Sequence, residues 1–270
     1  MKKTKIEWSD STWNPISGCF NDCHYCYARS LANRFAGASE THHNETVGTE
    51  CQWMTDAEGE IHVLDEHIYD YDRGQNAPYP YGFDPTFHRY RLEEPKNWTK
   101  QRNIFVCSMA DMFGPWVPDE WIREIVTAVK DAPQHNYLFL TKNPGRYIEL
   151  IEKGILPGDD NLWYGTTITG PDDPMFYSYG HNTFLSVEPL LHEFRFNEGI
   201  RNTAFARWVI IGAETGRRKN KVIPDLKWVD AICQSCDLEG VPVFMKDSLI
   251  PIVGEENMRR DFPERLEART

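Results

Sequence analysis

Across 270 residues, 41 acidic side chains outnumber 29 basic ones for a net charge of −12, while 40% of the chain is apolar and 13% aromatic. That composition excludes a disordered chain and argues against a broad face for sequence-blind duplex DNA, whose affinity comes from lysines and arginines displacing counterions. No run approaches the roughly 18 uncharged apolar residues of a membrane span, and the start MKKTKIEWSDSTW lacks a signal-peptide stretch, so a cytoplasmic protein with no membrane partner is expected.

Short β-branched or aromatic runs, several followed by a helical pattern, set the expected order of elements. Strands are predicted at Thr12–Ile16, Asn103–Ser108, Tyr137–Thr141, Leu162–Ile168, Thr183–Val187, Trp208–Ile211 and Val241–Met245. Helices are predicted over Tyr27–Phe35, over DEWIREIVTAVKDA after Pro118, over Pro144–Lys153 with Asn143 as N-cap, and over Asp225–Leu238 ending at Gly240. Strands alternating with helices imply parallel pairing, hence an α/β fold. The stretch from about 38 to 96 is polar, carries most of the negative excess, and is too long for an ordinary connection. It is expected to be an insertion after the first βα unit of a single barrel domain. Gly170–Asn182 is too short and proline-broken for a full crossover helix, so the barrel is expected to be irregular there.

In parallel barrels the active site is built at the carboxyl ends of the strands. Those ends carry the GCFNDCHYC loop, SMAD with Asp111, TKN with Lys142, Thr167 and Thr169, SVEP with Glu188, GAETG with Glu214, and MKD with Lys246 and Asp247. A polar loop residue is unremarkable alone, but seven such ends coincide. Lys142 and Lys246 close opposite strands, where each would clamp a phosphate or carboxylate of a substrate or else pair with Glu188 or Glu214.

Three of the seven cysteines, Cys19, Cys23 and Cys26, form a C-x3-C-x2-C cluster. Thiolates this close suit one soft metal centre, zinc or iron–sulfur. A closed [4Fe–4S] cluster or structural zinc site needs four ligands, so three local ones point to an open coordination position and to chemistry. The competing possibility is a non-catalytic zinc-stabilised binding module that pairs Cys23 and Cys26 with Cys233 and Cys236. Against it, the predicted helix puts Cys233 and Cys236 on an apolar stripe with Leu226, Val229 and Ile232, and Cys19 is left without a role.

The C-x3-C-x-aromatic-C loop, with Tyr25 before the last cysteine, resembles the cluster loop of the radical S-adenosylmethionine superfamily. The strings KIEWSDSTWNP, CYARSLANRF, SMADMF, FLTKNPGR, LWYGTTI, FLSVEPLL, WVIIGAETG and VPVFMKD resemble, in order, the landmarks of a family of phage and bacterial radical-SAM-like proteins of unknown specific function. The resemblance implies a partial (βα)6-type TIM-like barrel and a [4Fe–4S] cluster on Cys19, Cys23 and Cys26. S-adenosyl-L-methionine would bind the fourth iron, a reductant such as flavodoxin or ferredoxin would supply the electron, and a 5′-deoxyadenosyl radical would take a hydrogen atom from a substrate. By the same analogy Tyr25 belongs to the cofactor loop and Ser108 to Asp111 meet the methionine amino group. Thr167, Ser186 or Glu188 hold the ribose hydroxyls, and the backbone near Gly212–Glu214 approaches the adenine. Lys142 and Glu188 are the candidate catalytic side chains. SMAD lacks the glycine pair and glutamate common at that place, so its amine contact must differ.

Phage association favours a nucleic-acid base or nucleotide as substrate, and places a phage-encoded member in the host cytoplasm. Other candidates are weaker: Cys51 as a fourth ligand or radical quencher, Cys107 as a hydrogen-atom donor or a small buried residue, and His42, His43, His62 and His67 as metal ligands in no compact spacing. Tyr69, Tyr71, Tyr79, Tyr81 and Phe83 would stack bases or simply pack the insertion.

Overall fold

The computed structural model describes residues 4–36, 60–194, 206–216 and 218–267. The chain begins with β1 (Ser11–Trp13), β2 (Ile16–Ser17) and helix α1 (Tyr27–Phe35), then passes through β3 (His62–Leu64), β4 (Tyr69–Asp70), β5 (Gln75–Asn76) and β6 (Thr86–His88). There follow β7 (Asn103–Val106), α2 (Asp119–Lys130), β8 (Asn136–Thr141), α3 (Gly145–Glu152), β9 (Leu162–Ile168) and β10 (Asn182–Val187). The last elements are β11 (Val209–Ile211), α4 (Leu226–Glu239), β12 (Val243–Met245) and the short α5 (Ile250–Val253).

Seven strands pair in the order β1-β7-β8-β9-β10-β11-β12, every pair parallel. The architecture is therefore an α/β partial barrel, with seven strands where the resemblance implied six units. Strands β7 and β10 are buried along their whole length, as expected when both faces of a parallel sheet are covered. On the outer face Trp121, Ile122, Ile125, Val126 and Val129 of α2 are all buried, the apolar stripe of an amphipathic helix. The inner face is packed with Phe105, Leu138, Trp163, Phe184, Ile210 and Phe244, with Trp8 and Trp208 among them. Gly165 leaves room for one of these rings, since a Cβ there would lie 2.2 Å from Phe184 Cζ.

Several expectations change at the element ends. The predicted strand Thr12–Ile16 is two strands, because Pro15 has no N–H for a ladder and Ile16–Ser17 turns away to pair antiparallel with β6. With β3 parallel on its other side, β6 completes a three-stranded sheet, two of whose strands come from residues predicted as insertion. Strand β7 stops at Val106, and Cys107 takes a positive φ of 57°. Asn143 does not cap α3 through its side chain. Pro144 occupies the cap position, and Asn143 Nδ2 donates instead to Phe113 O at 2.9 Å. Helix α4 has the expected ends, with Asp225 accepting from Lys227 N at 3.0 Å and Gly240 left-handed at φ 67°. Between β9 and β10 residues 169–181 contain no helix, the irregularity expected from the sequence.

Candidate active site

Alternation along the strands decides what reaches the barrel interior, because residues two apart share a face. From the packed inner layer, two residues further on lies Cys107 beyond Phe105, Lys142 beyond Leu140, and Thr167 beyond Gly165. Likewise Ser186 and then Glu188 follow Phe184, Glu214 follows Ile210 by four, and Lys246 follows Phe244. The face that is aromatic at mid-strand thus becomes polar at the carboxyl end. A cavity of ≈ 270 Å³ opens there, with Trp8, Phe105 and Leu140 among its apolar walls. Cys19, Cys23, Tyr25, Cys26, Ser108, Asp111, Lys142, Thr167, Ser186, Glu188 and Glu214 all line it. Gly212, Thr169 and Asp247, named with them from the strand ends, are not on its lining.

The cysteine loop is clamped at its start. Gly18 N donates to Met109 O at 2.9 Å and Cys19 N to Phe83 O at 3.0 Å, tying the loop to the SMAD segment and to the segment before β6. Gly18 has φ 84°, and a Cβ there would stand 2.2 Å from Asp84 O, so only glycine fits. Asn14 Oδ1 accepts from Ser108 Oγ and Met109 N, both at 3.1 Å, which fixes SMAD against the end of β1. At the loop's far end Cys26 is the N-cap of α1, and its Sγ accepts from Arg29 N at 3.3 Å. Cys19 Sγ accepts from Asn21 N, also at 3.3 Å. None of the three thiols is in a disulfide and all are half-buried.

Asp111 is the hub of this half of the rim. Oδ1 accepts from Thr141 Oγ1 at 2.7 Å and Phe113 N at 3.1 Å, and Oδ2 accepts from Lys142 N at 3.0 Å and Asn21 Nδ2 at 3.2 Å. Those four bonds fill the lone-pair sites of a carboxylate. Burial nonetheless raises its pKa, outweighing the donors. Burial, with Asp111 next, pushes the Cys19 thiol up to about 12, and burial raises Cys23 as well. Lys142 extends over the Tyr25 ring, 5.3 Å from its centroid, and burial lowers its pKa against the pull of Cys23 and Asp111.

The other half of the rim is held by ion pairs. Lys246 Nζ lies 2.6 Å from Glu188 Oε1, and Ser186 Oγ donates to Glu188 Oε2 at 3.0 Å. Burial opposes the lysine's charge, but Glu188 outweighs it and the Lys246 pKa is raised. The pair crosses Gly212, where a Cβ would meet Glu188 Oε1 at 2.7 Å. Buried Glu214 accepts from Arg218 Nε and a terminal guanidinium nitrogen, both at 2.6 Å, and from Val222 N at 3.2 Å. Arg218 holds the Glu214 carboxyl below its usual range.

The donor set fits an iron–sulfur cluster: three free, soft thiols beside one cavity, two of them already receiving backbone N–H bonds at sulfur. The Cys19 and Cys23 thiols, whose pKa burial raises, would be deprotonated outright by a bound metal. Among the described residues no three His, Cys, Asp or Glu side chains are close enough to share one metal ion. The thiols of a cubane each bind a different iron and stand further apart than ligands of one ion. Cys233 and Cys236 are not brought to this loop. They are buried in α4 with Val229 and Ile232, and their charged neighbours are Arg259 and Asp237.

A family model described as "Protein of unknown function (DUF5131)" matches residues 3–249. The chain belongs to that family. No curated protein matches it. Among solved structures, a cysteine-to-serine mutant of spore photoproduct lyase is similar with a TM-score of 0.50 at 9% identity, covering 91% of this chain and 79% of its own. A double mutant of the same enzyme, with bound AdoMet and dinucleoside spore photoproduct, gives 0.49 at 9% identity over 90% and 78%. At that identity the likeness speaks for the fold.

The other candidates named from the sequence separate cleanly in space. Cys107 lines the cavity and is buried, its thiol pushed up to about 12 by that burial. His62 stacks on Tyr81 with centroids 3.7 Å apart, and His67 lies on Tyr90 at 4.0 Å, so both serve as ring partners. Tyr69 and Tyr71 pack edge to face, and of the five aromatics named from the sequence only Phe83 lines the cavity. His42, His43 and Cys51 lie outside the described residues. Sequence reasoning passed over Asn14, Asn21 and Tyr27. The only local signal for the first two was an asparagine before a proline and one inside the cysteine spacing. Among the described residues no helix is long and apolar enough to cross a membrane.

Proposed function

We propose that the chain is a radical S-adenosylmethionine enzyme that binds one [4Fe–4S] cluster through Cys19, Cys23 and Cys26. The observation that carries this is the meeting of three uncrosslinked thiols with ionisable strand ends around one cavity at the carboxyl side of a parallel barrel. When bound, the cluster and S-adenosylmethionine, fed one electron by a flavodoxin- or ferredoxin-type reductant, supply methionine and a 5′-deoxyadenosyl radical that abstracts hydrogen from substrate.

The chain's own residues position and shield. The N–H groups of Asn21 and Arg29 stabilise negative charge on Cys19 and Cys26 sulfur. Asp111 orients the loop through Asn21 and, with its lone pairs filled, offers no free oxygen to a ligand amine. Ser108 lies on the segment that Asn14 holds at the cavity wall, and Tyr25 shields the thiols. Thr167, Ser186 and Glu188 offer oxygens to ribose hydroxyls, and the backbone of Ala213 and Glu214, which lines the cavity beyond Gly212, offers a surface for adenine. Lys142 supplies a cation beside the thiols, while Glu188 fixes Lys246. A nucleobase or nucleotide is the preferred substrate class.

Anaerobic incubation of the reconstituted protein with S-adenosylmethionine and dithionite tests this. The expected product is 5′-deoxyadenosine. A colourless protein that holds one zinc and forms none would contradict the proposal and favour the zinc-stabilised module.

A further inference from the structure

Leaving β11, the chain reads Gly216-Arg217-Arg218-Lys219-Asn220-Lys221, and no acidic residue occurs between Glu214 and Asp225. In a chain of net −12 such a run is a local reversal of sign. Residues 218–222 are held in place, because Glu214 grips Arg218 through two bonds and Val222 N through a third, which closes them on one buried carboxylate. Arg218 is neutralised by that grip. Lys219 and Lys221 remain exposed. Glu214 and Thr215 line the cavity, and His24 of the cysteine loop is near enough to contribute to lowering the Glu214 pKa, after the larger effect of Arg218. The basic segment therefore lies at the cavity mouth, near the cysteine loop.

A second observation sits inside the same cavity. Tyr27, the first residue of α1, lines it and is 56% exposed, although its hydroxyl is pinned to Ser108 O at 2.7 Å. Glu188 and Cys26 are both near enough to raise its pKa after burial has done so. An aromatic ring held by its polar end and open on its face is a stacking surface for a planar group. Exposed cations beside a stacking ring are the two elements from which single-stranded nucleic-acid sites are made.

We infer that the rim carrying Lys219 and Lys221 holds the phosphates of a single-stranded nucleic acid while one of its bases stacks on Tyr27 within the cavity. A base still paired in a duplex has both faces covered by its neighbours, so stacking on Tyr27 requires leaving the stack. An acidic reductant protein would use the same two lysines but not a ring inside the cavity, which is why the strand is favoured as occupant. The inference rests on the proposed function for its choice of cavity, yet binding is measured without turnover.

The experiment is fluorescence anisotropy of a short fluorescein-labelled oligothymidylate titrated with reconstituted full-length protein, without reductant, over a range of salt. Two phosphate contacts predict a slope of log affinity against log salt of about −1.4. Lys219→Glu with Lys221→Glu should remove that slope and weaken low-salt binding about tenfold or more. Lys130→Glu, an exposed residue at the end of α2, should do neither. Tyr27→Leu should weaken binding about tenfold with the slope retained. No binding by the wild type, or equal binding by the double variant, overturns the inference. So does a double variant that keeps the oligonucleotide but is reduced more slowly by flavodoxin, which would assign the lysines to the reductant. The double variant should form 5′-deoxyadenosine without oligonucleotide at the wild-type rate. If 5′-deoxyadenosine forms but no oligonucleotide binds, the inference fails alone; if the strand binds but no 5′-deoxyadenosine forms in any protein, the proposed function fails alone.

Discussion

Both ends of the parallel sheet carry buried polar side chains, and they differ in where the hydrogen bonds go. At the amino ends Asn103, Asn136 and Asn182 begin β7, β8 and β10. Asn136 Nδ2 donates to Asn103 Oδ1 at 2.8 Å and Arg265 O at 3.1 Å, and Asn103 Nδ2 donates to Leu266 O at 2.7 Å. Asn182 Nδ2 donates to Asp160 O at 2.9 Å and Leu162 O at 3.1 Å. These groups bind one another, the backbone and the carboxyl-terminal segment. At the carboxyl ends Lys142, Glu188, Ser186 and Thr167 face a cavity instead, and the groups that are saturated there, Asp111 and Glu214, hold loops in place. One end is a joint and the other a site. The lesson is that burial of a polar residue does not mark function; burial beside open space does.

Substitutions at the two ends should therefore fail in different ways. Cys26→Ala at the carboxyl end is expected to abolish the visible absorbance of the reconstituted cluster. Unfolding stability of the metal-free protein should fall by no more than about 1 kcal/mol, the scale of a lost helix cap. Asn136→Ala at the amino end should do the reverse. Urea denaturation should show a loss of about 1–3 kcal/mol, because the oxygen of Asn103 and Arg265 O lose a buried donor, while cluster absorbance stays.

Gly212→Ala tests the ion pair that crosses it. The added methyl would displace Glu188, and affinity for S-adenosylmethionine measured by calorimetry should drop about tenfold with little change in stability. The smallest effect is expected with pH. His88 is fully buried, its Nε2 2.7 Å from Ser17 Oγ and its Nδ1 3.1 Å from Tyr90 OH, and burial, then Arg91 and His67, hold its pKa well below 6.5. The unfolded chain then binds a proton that the folded one refuses, so this contribution is present above pH 6.5 and is lost as pH falls below it. Denaturation midpoints of His88→Gln should fall less between pH 6.5 and more acid conditions than those of the wild type.

Much of the carboxyl rim was legible because alternation and strand order are local signals. Leu162–Ile168 and Tyr27–Phe35 are found as predicted, and the strand ends gave Lys142, Thr167, Glu188, Glu214 and Lys246. What escaped was pairing at long range. Nothing near Asn136 announces a partner 129 residues away, and nothing in Ile16–Ser17 announces that it leaves the barrel for β6. The helical i, i+4 spacing of Glu214 and Arg218 occurs here in an irregular segment, so periodicity could not identify the pair. Asp111 was legible as a strand-end carboxylate, but its four donors come from three separate parts of the chain, so its orienting part was visible only in three dimensions.

The central claim is that Cys19, Cys23 and Cys26 form a cluster site while Cys233 and Cys236 only pack a helix. Iron and sulfide determination on anaerobically reconstituted Cys19→Ala and Cys236→Ala proteins tests it most directly. The prediction is about four irons and four sulfides per chain in the wild type and in Cys236→Ala, and none in Cys19→Ala. Equal loss in both variants, or one zinc in place of iron in the wild type, would contradict the account.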